Sequence, residues 1–401
     1  MNVPDYDVVI IGSGFGGSVA ALRLTEKGYR VAVLEAGRRF SEKDYPKTSW
    51  RIRKFLFMPR LGLNGIQRIH VLPDVLVLAG AGVGGGSLVY ANTLYQPPDS
   101  YFNDKQWNQI TDWKSELLPW YDQASRMLGV TENPYFSPSD AAMKEVAEEM
   151  GVGNTFRMAP LGVYFGTAPG ADGGDPFFGG VGPNRDGCMQ CGSCMTGCRF
   201  NAKNTLPKNY LGLAEKAGAT VFPQHTVESF TQESDGSWRI VVRKSSAWFG
   251  RKRIFTAKDL VVAAGTYNTQ KLLHKMRDTQ ALPKLSKQLG ELSRTNSESL
   301  VGSIMPKGGT DYSQGSAITS SFFPEPHTHV EPVRYGKGSN LMGMLQTVMT
   351  DGYKAKDRRA QWLKAVIRKP NNLIRIMDVR KWSERTVIAL VMQNVDSAVS
   401  V

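Results

Sequence analysis

Four groups of residues in this 401-residue chain have the types and spacing to do chemistry. The first is Gly12-Ser13-Gly14-Phe15-Gly16-Gly17, which fits G-x-G-x-x-G directly after the apolar run 7–11. In such a pattern Gly12 allows a tight turn, Gly14 lets the backbone approach a pyrophosphate, and Gly17 lets a helix pack close to a strand. The helix start then offers free N–H groups and a positive dipole end to phosphate oxygens. Glu35 follows at the tip of a second apolar run and can accept hydrogen bonds from a ribose diol. A carboxylate there disfavours a 2′-phosphate, so NADP is not expected. The position of the motif at the start of the chain, and Glu35-Ala36-Gly37 after the second run, favour FAD over NAD.

The second group is the glycine loop 80–92, with Gly84-Gly85-Gly86-Ser87 at its centre and Asn92 at its end. Consecutive glycines let backbone lie against a flat or phosphorylated ligand. Ser87 could donate to a phosphate oxygen and Asn92 could reach a flavin edge. The third group is Cys188-x2-Cys191-x2-Cys194-x3-Cys198, all four cysteines of the chain within eleven residues. That spacing is of the ferredoxin type, and gathered thiolates suit an iron–sulfur cluster or zinc. Against a four-cysteine cluster stand the absence of a fifth cysteine and Arg199 where ferredoxins have Pro. A reversible thiol pair and plain packing remain open. The fourth group is His327-x-His329-x-Glu331, whose period of two puts all three side chains on one face of a strand. They could bind metal, line a cavity or form a polar network, with Glu331 a possible base beside a substrate hydroxyl. His70, His225 and His274 show no partner pattern.

Local patterns place the elements that must hold these groups. The pattern predicts strands over 7–11 and 30–34 around a helix over 18–27 that Gly28 ends. A further strand is expected at 72–78, one at 219–227, and a buried strand at 260–265 leading into a helix from about residue 268. Helices are predicted over 115–128 and 141–150. The stretch 166–187, rich in Gly, Pro and Asp, reads as a loop that could border the site. The fold class is α/β: a Rossmann-like FAD-binding domain with an α+β substrate domain built on an antiparallel sheet.

The glycine motif together with G-V-G-G-G-S-L-V-Y-A-N at 82–92 resembles the glucose–methanol–choline family of flavin oxidoreductases. The blocks 197–206 (GCRFNAKNTL), 261–273 and 327–340 resemble the bacterial cholesterol-oxidase-like branch, and the likeness spans essentially the whole chain. It implies that Val227 meets the adenine through its backbone and that Gly265 lies under the flavin diphosphate. It also implies a discontinuous FAD domain with the substrate domain inserted: 1–96, an excursion at 97–187, 188–294, then 295–401. Some family members tether the flavin to a His just after the second glycine loop. Leu88, Val89 and Tyr90 stand there in this chain, so FAD is expected to be non-covalent. The implied activity is oxidation of an apolar alcohol, such as a 3β-hydroxysteroid, with hydride passing to flavin N5 and a base taking the hydroxyl proton. Oxygen or another acceptor then takes the electrons. The alternatives are a flavin/iron–sulfur electron-transfer protein and an inactive FAD-binding fragment.

Family members run past the point where this chain ends, which reads as mid-strand at 394–401. The usual catalytic His/Asn pair therefore has no counterpart here, and the catalytic residues stay unknown. The substrate domain is expected to be incomplete, with an exposed edge and low stability. Hydrophobic content of 41% and charged content of 21% exclude wholesale disorder. The formal charge is +13, and eleven Lys/Arg against four Asp/Glu fall within 351–385. Trp362, Leu363, Ile367 and Trp382 interleave with those charges, as does Trp50 with the basic run at 50–60. This is either a solvated helix face or a surface for acidic lipid, hence a possible peripheral membrane contact. No nucleic-acid module, transmembrane run or secretory leader is read, so a cytoplasmic setting is expected.

Overall fold

The computed structural model describes residues 4–73, 75–249, 251–350 and 355–394. Its centre is a six-stranded sheet. The strands are β1 (Tyr6–Ile11), β2 (Val31–Leu34), β3 (Thr220–Phe222), β4 (His225–Gln232), β5 (Trp238–Lys244) and β6 (Arg253–Val262), in the order β3-β2-β1-β6-β5-β4. The first four in that order run parallel, while β6, β5 and β4 form an antiparallel meander. One long strand serves both parts. The second half of β6 pairs with β1, from Ala257 opposite Tyr6 to Val262 opposite Ile11, and its first half pairs with β5.

The side chains of β1 explain the layering. Val8 and Ile10 point to one face, where Ala21 and Leu22 of helix α1 (Phe15–Glu26) and Leu211 of a later helix, Tyr210–Lys216, cover them. Val9 and Ile11 point to the other, against Phe230, Ile240, Phe255 and Met276. A strand apolar on both faces belongs between two layers, and both layers are present.

Two expected strands are corrected. The run 72–78 is not one strand: Gln67–Val71 and Leu76–Gly80 form an antiparallel hairpin with the turn at Leu72-Pro73, and a proline cannot donate to a sheet ladder. The run 219–227 is cut in two at Pro223-Gln224, where Gln224 takes φ +60°. Its halves, β3 and the start of β4, lie in different parts of the sheet.

A second, antiparallel sheet contains β7 (Glu298–Ile304), β8 (Ser320–Glu325), β9 (Thr328–Val333) and β10 (Thr386–Gln393), in the order β7-β10-β9-β8, with the two-residue strand Arg157–Met158 at the far edge. Strand β10 is two-faced. Val387, Ala389 and Val391 pack towards Met143 and Ala147 of a helix over Pro138–Glu149, while Ile388, Leu390 and Met392 face a cavity shared with the first sheet. The chain stop expected at 394–401 lies outside the described residues except for Asn394, whose N–H donates to His327 O at 2.7 Å.

The tightest packing constraint is backbone on backbone. A Cβ on Gly17 would sit 2.0 Å from Gly12 O. Gly17→Ala is therefore expected to lower the unfolding free energy by about 3 kcal/mol, read from the urea midpoint with an unchanged slope.

Candidate active site

At the tip of β1, Gly12 has φ +100° and would, with a Cβ, meet Ala263 O at 2.4 Å. Its N–H donates to Leu34 O at 2.8 Å, so the tips of β1, β2 and β6 are drawn together. Helix α1 starts there with no acidic side chain in its first turn and no side-chain cap on Gly14. Its first N–H groups are left for a ligand. A Cβ on Gly14, Gly16 or Gly265 would meet no protein atom within 4 Å, and all three glycines line one large cavity.

Ser13 organises the acid. Its N–H and hydroxyl donate to Glu35 Oε2 at 3.1 and 2.7 Å, and the Gly37 N–H donates to Glu35 Oε1 at 2.8 Å. The Gly84 N–H in turn donates to Ser13 Oγ at 3.0 Å, tying the two glycine loops together. They approach so closely that a Cβ on Gly85 would be 2.7 Å from Gly14 Cα. Gln224 and His225 at the head of β4 donate backbone N–H groups to Gly37 O and Glu35 O at 2.9 and 2.8 Å. This brings Val227 to the cavity beside Glu35.

Of the residues expected at a cofactor, Gly12, Gly14, Glu35, Gly85, Gly86, Val227 and Gly265 line the cavity. Gly17, Gly84, Ser87 and Asn92 do not. Gly17 holds the helix against Gly12, and Gly84 abuts Pro207. Ser87 donates its hydroxyl to Gly84 O at 2.7 Å and accepts from Leu206 N–H at 3.0 Å, so it fixes the loop instead of facing a phosphate. Asn92 is fully buried at φ +78°, with its side-chain amide against Cys194.

The residues present fit FAD. The cavity of about 1170 Å³ runs from the glycine cradle to the face of the second sheet. Sequence patterns missed its side wall. Arg68 and His70, on the hairpin that covers the cradle, reach helix α2 (Thr266–Asp278): Arg68 Nη1 donates to Asn268 Oδ1 at 3.1 Å, and the His70 ring lies 4.6 Å from that of Tyr267. Arg68 Nε and His70 Nε2 are buried without a partner, as groups awaiting a ligand would be.

The far wall carries Glu331. It is 2% exposed, lines the cavity, and its Oε1 has no hydrogen-bond partner. Burial, reinforced by the Glu298 carboxyl, pushes its pKa up to about 8. His329 shares its face, with Nε2 4.0 Å from Glu331 Oε1. The expected third member does not join them: His327 stands exposed before β9 begins.

The four cysteines do converge. They line one small cavity of about 20 Å³ with Lys203 and Phe200, room for about one water. All four are free thiols, and among the described residues no three His, Cys, Asp or Glu side chains could hold a metal ion. Burial raises the pKa of Cys188 and pushes that of Cys194 up to about 11, which keeps both protonated. The iron–sulfur and zinc expectations for Cys188, Cys191, Cys194 and Cys198 thus gain no support from this geometry. What the cluster does contain is Lys203, 1% exposed, whose Nζ donates to Tyr90 O, Cys194 O and Leu88 O at 2.7, 2.9 and 3.2 Å. It staples the second glycine loop to the cysteine loop.

Comparison with known proteins agrees with this geometry. A family model described as GMC oxidoreductase matches residues 179–276, and one described as FAD binding domain matches residues 7–43. The chain is 59% identical over 408 residues to a protein of Mycobacterium tuberculosis named cholesterol oxidase, covering 99% of this chain and 71% of that one. A cholesterol oxidase of Acinetobacter baumannii is 40% identical over 410 residues, with 100% and 74% covered. Among solved structures, pyridoxine 4-oxidase from Mesorbium loti shares the fold with a TM-score of 0.53 at 14% identity, over 96% of this chain and 71% of that one. No helix among the described residues is long and apolar enough to cross a membrane.

The raised Glu331 pKa sets a pH dependence. A carboxyl raised from 4.5 to about 8 by folding favours the folded state fully below 4.5, and that contribution is lost as pH rises to about 8. Glu331→Gln has no proton to lose. Its stability relative to the unaltered protein should climb across that window and level off above it, as followed by urea unfolding at a series of pH values.

Proposed function

From the premise that the chain belongs to the glucose–methanol–choline oxidoreductase family, and is an FAD-dependent oxidoreductase acting on CH–OH groups, we propose that its substrate is the hydroxyl of a sterol such as cholesterol. The observation that carries the reading is a single unpartnered carboxyl, Glu331, set in an apolar wall of the cavity that the glycine cradle opens into. Leu300, Val333, Met342, Ile388 and Leu390 supply that wall, with Trp382 towards its end. Such a surface accepts a rigid apolar body, and Glu331 is the buried, unpartnered group on it that can orient a hydroxyl.

Gly12, Gly14, Gly85, Gly86 and Gly265 would hold the diphosphate by backbone approach, Glu35 the ribose, and Val227 the adenine. When bound, FAD supplies the hydride acceptor at N5. Glu331, as carboxylate, takes the hydroxyl proton, and the apolar wall keeps water from competing. The relatives' names support oxygen as the electron acceptor.

The basic helices complete the reading. Helix α3 (Ala355–Arg368) and helix α4 (Pro370–Met377) expose Leu363, Ile367, Ile374 and Met377 between Arg359, Lys364, Arg368 and Arg375. They border the cavity: Gln346, which lines it, donates to Ile376 O at 2.5 Å and accepts from the Trp382 indole N–H at 2.9 Å. A face of exposed aliphatics ringed by cations suits an anionic lipid surface, from which a sterol could pass to the cavity.

Two measurements test this. Anaerobic mixing of the FAD-loaded protein with cholesterol should bleach the flavin, and Glu331→Gln should slow the bleaching roughly a hundredfold or more. No bleaching with any sterol or long-chain alcohol overturns the substrate assignment. Co-sedimentation should favour vesicles containing phosphatidylserine over purely zwitterionic ones, and Ile374→Glu should abolish the difference. Equal binding to both would count against the surface.

A further inference from the structure

His329 has no part in the chemistry described so far, yet its surroundings are built around it. Its ring stacks on Phe323 at 4.5 Å with 12° between planes and meets the Tyr95 ring edge-on at 4.9 Å. Tyr95 is itself fixed by a hydroxyl hydrogen bond to Ser321 Oγ at 2.8 Å. The Arg157 guanidinium lies 5.1 Å from the centres of both the Tyr95 and Phe323 rings. Nothing donates to or accepts from His329 Nε2, and the nearest acidic oxygen, Glu331 Oε1, is also unpartnered at 4.0 Å. Two buried polar atoms left open towards each other call for an explanation. A separation that is long without substrate and tightens with it is one.

The two side chains differ in what they see. The Glu331 side chain is almost wholly buried and faces the cavity, whereas that of His329 is 17% exposed and does not line it. His329 is thus the more exposed member of the pair and stands off the cavity that Glu331 lines. A carboxyl that removes a proton in a cavity filled by substrate needs such an outlet, since water cannot reach it from the substrate side.

We propose that His329 relays to solvent the proton that Glu331 takes from the substrate hydroxyl. The inference rests on the reading of Glu331 as the base. The O–H bond of the alcohol breaks and its proton passes to the Glu331 carboxylate, while the C–H electron pair leaves with the hydride. The proton then moves from Glu331 to His329 Nε2, which is buried, the imidazolium releases its other proton, on Nδ1, to water, and the ring returns to its resting tautomer before the next turnover. No electrons move in the relay, and Glu331 returns to its ionised form. The neutral imidazole required at rest is the state its burial enforces, with its pKa pulled down to about 4 by desolvation and by Arg157. The charged and titratable groups facing the pair are Arg157, Glu298 and Tyr95. Arg157 disfavours the imidazolium, so that form is short-lived and gives its proton up to water as soon as it is made. His329 acts through Glu331, so it is a positioning residue and not a catalytic one.

The test uses His329→Phe, which keeps an aromatic ring against Phe323 and Tyr95 but carries no proton, with His329→Gln as a second variant should the first fold poorly. In the FAD-loaded protein, steady turnover should fall about tenfold, more than the single anaerobic bleaching does. Added imidazole should restore turnover in proportion to its concentration, which it would not do for a merely structural defect. Unchanged turnover, or a loss that imidazole does not rescue, overturns the relay. A second readout needs no turnover: in cofactor-free protein labelled with 15N-histidine, His329 should be neutral with a bare Nε2 at neutral pH, and a protonated Nε2 there overturns the proposal. Normal bleaching in Glu331→Gln would instead remove the base itself, a different failure from that of the relay.

Discussion

The structure turns on one contact that side chains would forbid. Gly17 lies on Gly12 O, and Gly12 lies on Ala263 O, so three strand tips and the start of α1 meet at distances no Cβ would permit. Everything downstream inherits that convergence. It places the N–H groups of the first helical turn in the mouth of the cavity, and it sets Ser13 where one hydroxyl reaches Glu35 while accepting from Gly84. The second glycine loop can then close over Gly14. Glycines in this protein thus do two different jobs. Gly12, Gly17 and Gly85 allow chain to touch chain, whereas Gly14, Gly16 and Gly265 leave space that only a ligand fills.

Lys203 holds the second loop from behind. Its ammonium is almost wholly buried, and burial pulls its pKa down to about 7. Three carbonyl oxygens accept from it and lower the cost of leaving the charge there. The Tyr90 ring adds its face at 4.5 Å. The cysteines surround this staple as small apolar bodies, with Cys188 packed beside Ala202 and Val163. One short loop thus brings all four cysteines against one buried cation, a contact that spacing alone does not reveal.

The nucleotide half of the fold was legible because its signals are local. Continuous apolar runs, a glycine triplet and an acid at a strand tip all lie within thirty positions, and each has a backbone cause. The boundaries slipped where one residue overrode the pattern: Pro73 turned an apolar run into a hairpin, and Gln224 divided another at a left-handed bend. Ser87 and Asn92 sit in the right loop but face inward, because facing is set by Leu206 and the cysteine loop, more than a hundred residues away. Arg68 and His70 carried no signal. Their partners Asn268 and Tyr267 are about two hundred residues distant in the chain.

The second sheet shows why substrate preference and acid–base chemistry are one property here. Period two along β10 sends Ile388, Leu390 and Met392 to the cavity, and the same period along β9 sends Glu331 there. In the paired register Glu331 stands opposite Leu390, which stands opposite Leu300, so the carboxyl is flanked by the aliphatic groups that would hold an apolar ring system. That surface withholds water from Glu331 and so raises its pKa towards the range in which a base is most effective. A more polar wall would solvate the carboxylate, lower its pKa and weaken its pull on a hydroxyl proton. It would also bind an apolar alcohol less well. Enlarging or wetting this face should therefore change affinity and proton transfer together, whereas changes at the cradle should alter cofactor retention without altering the acidity of Glu331.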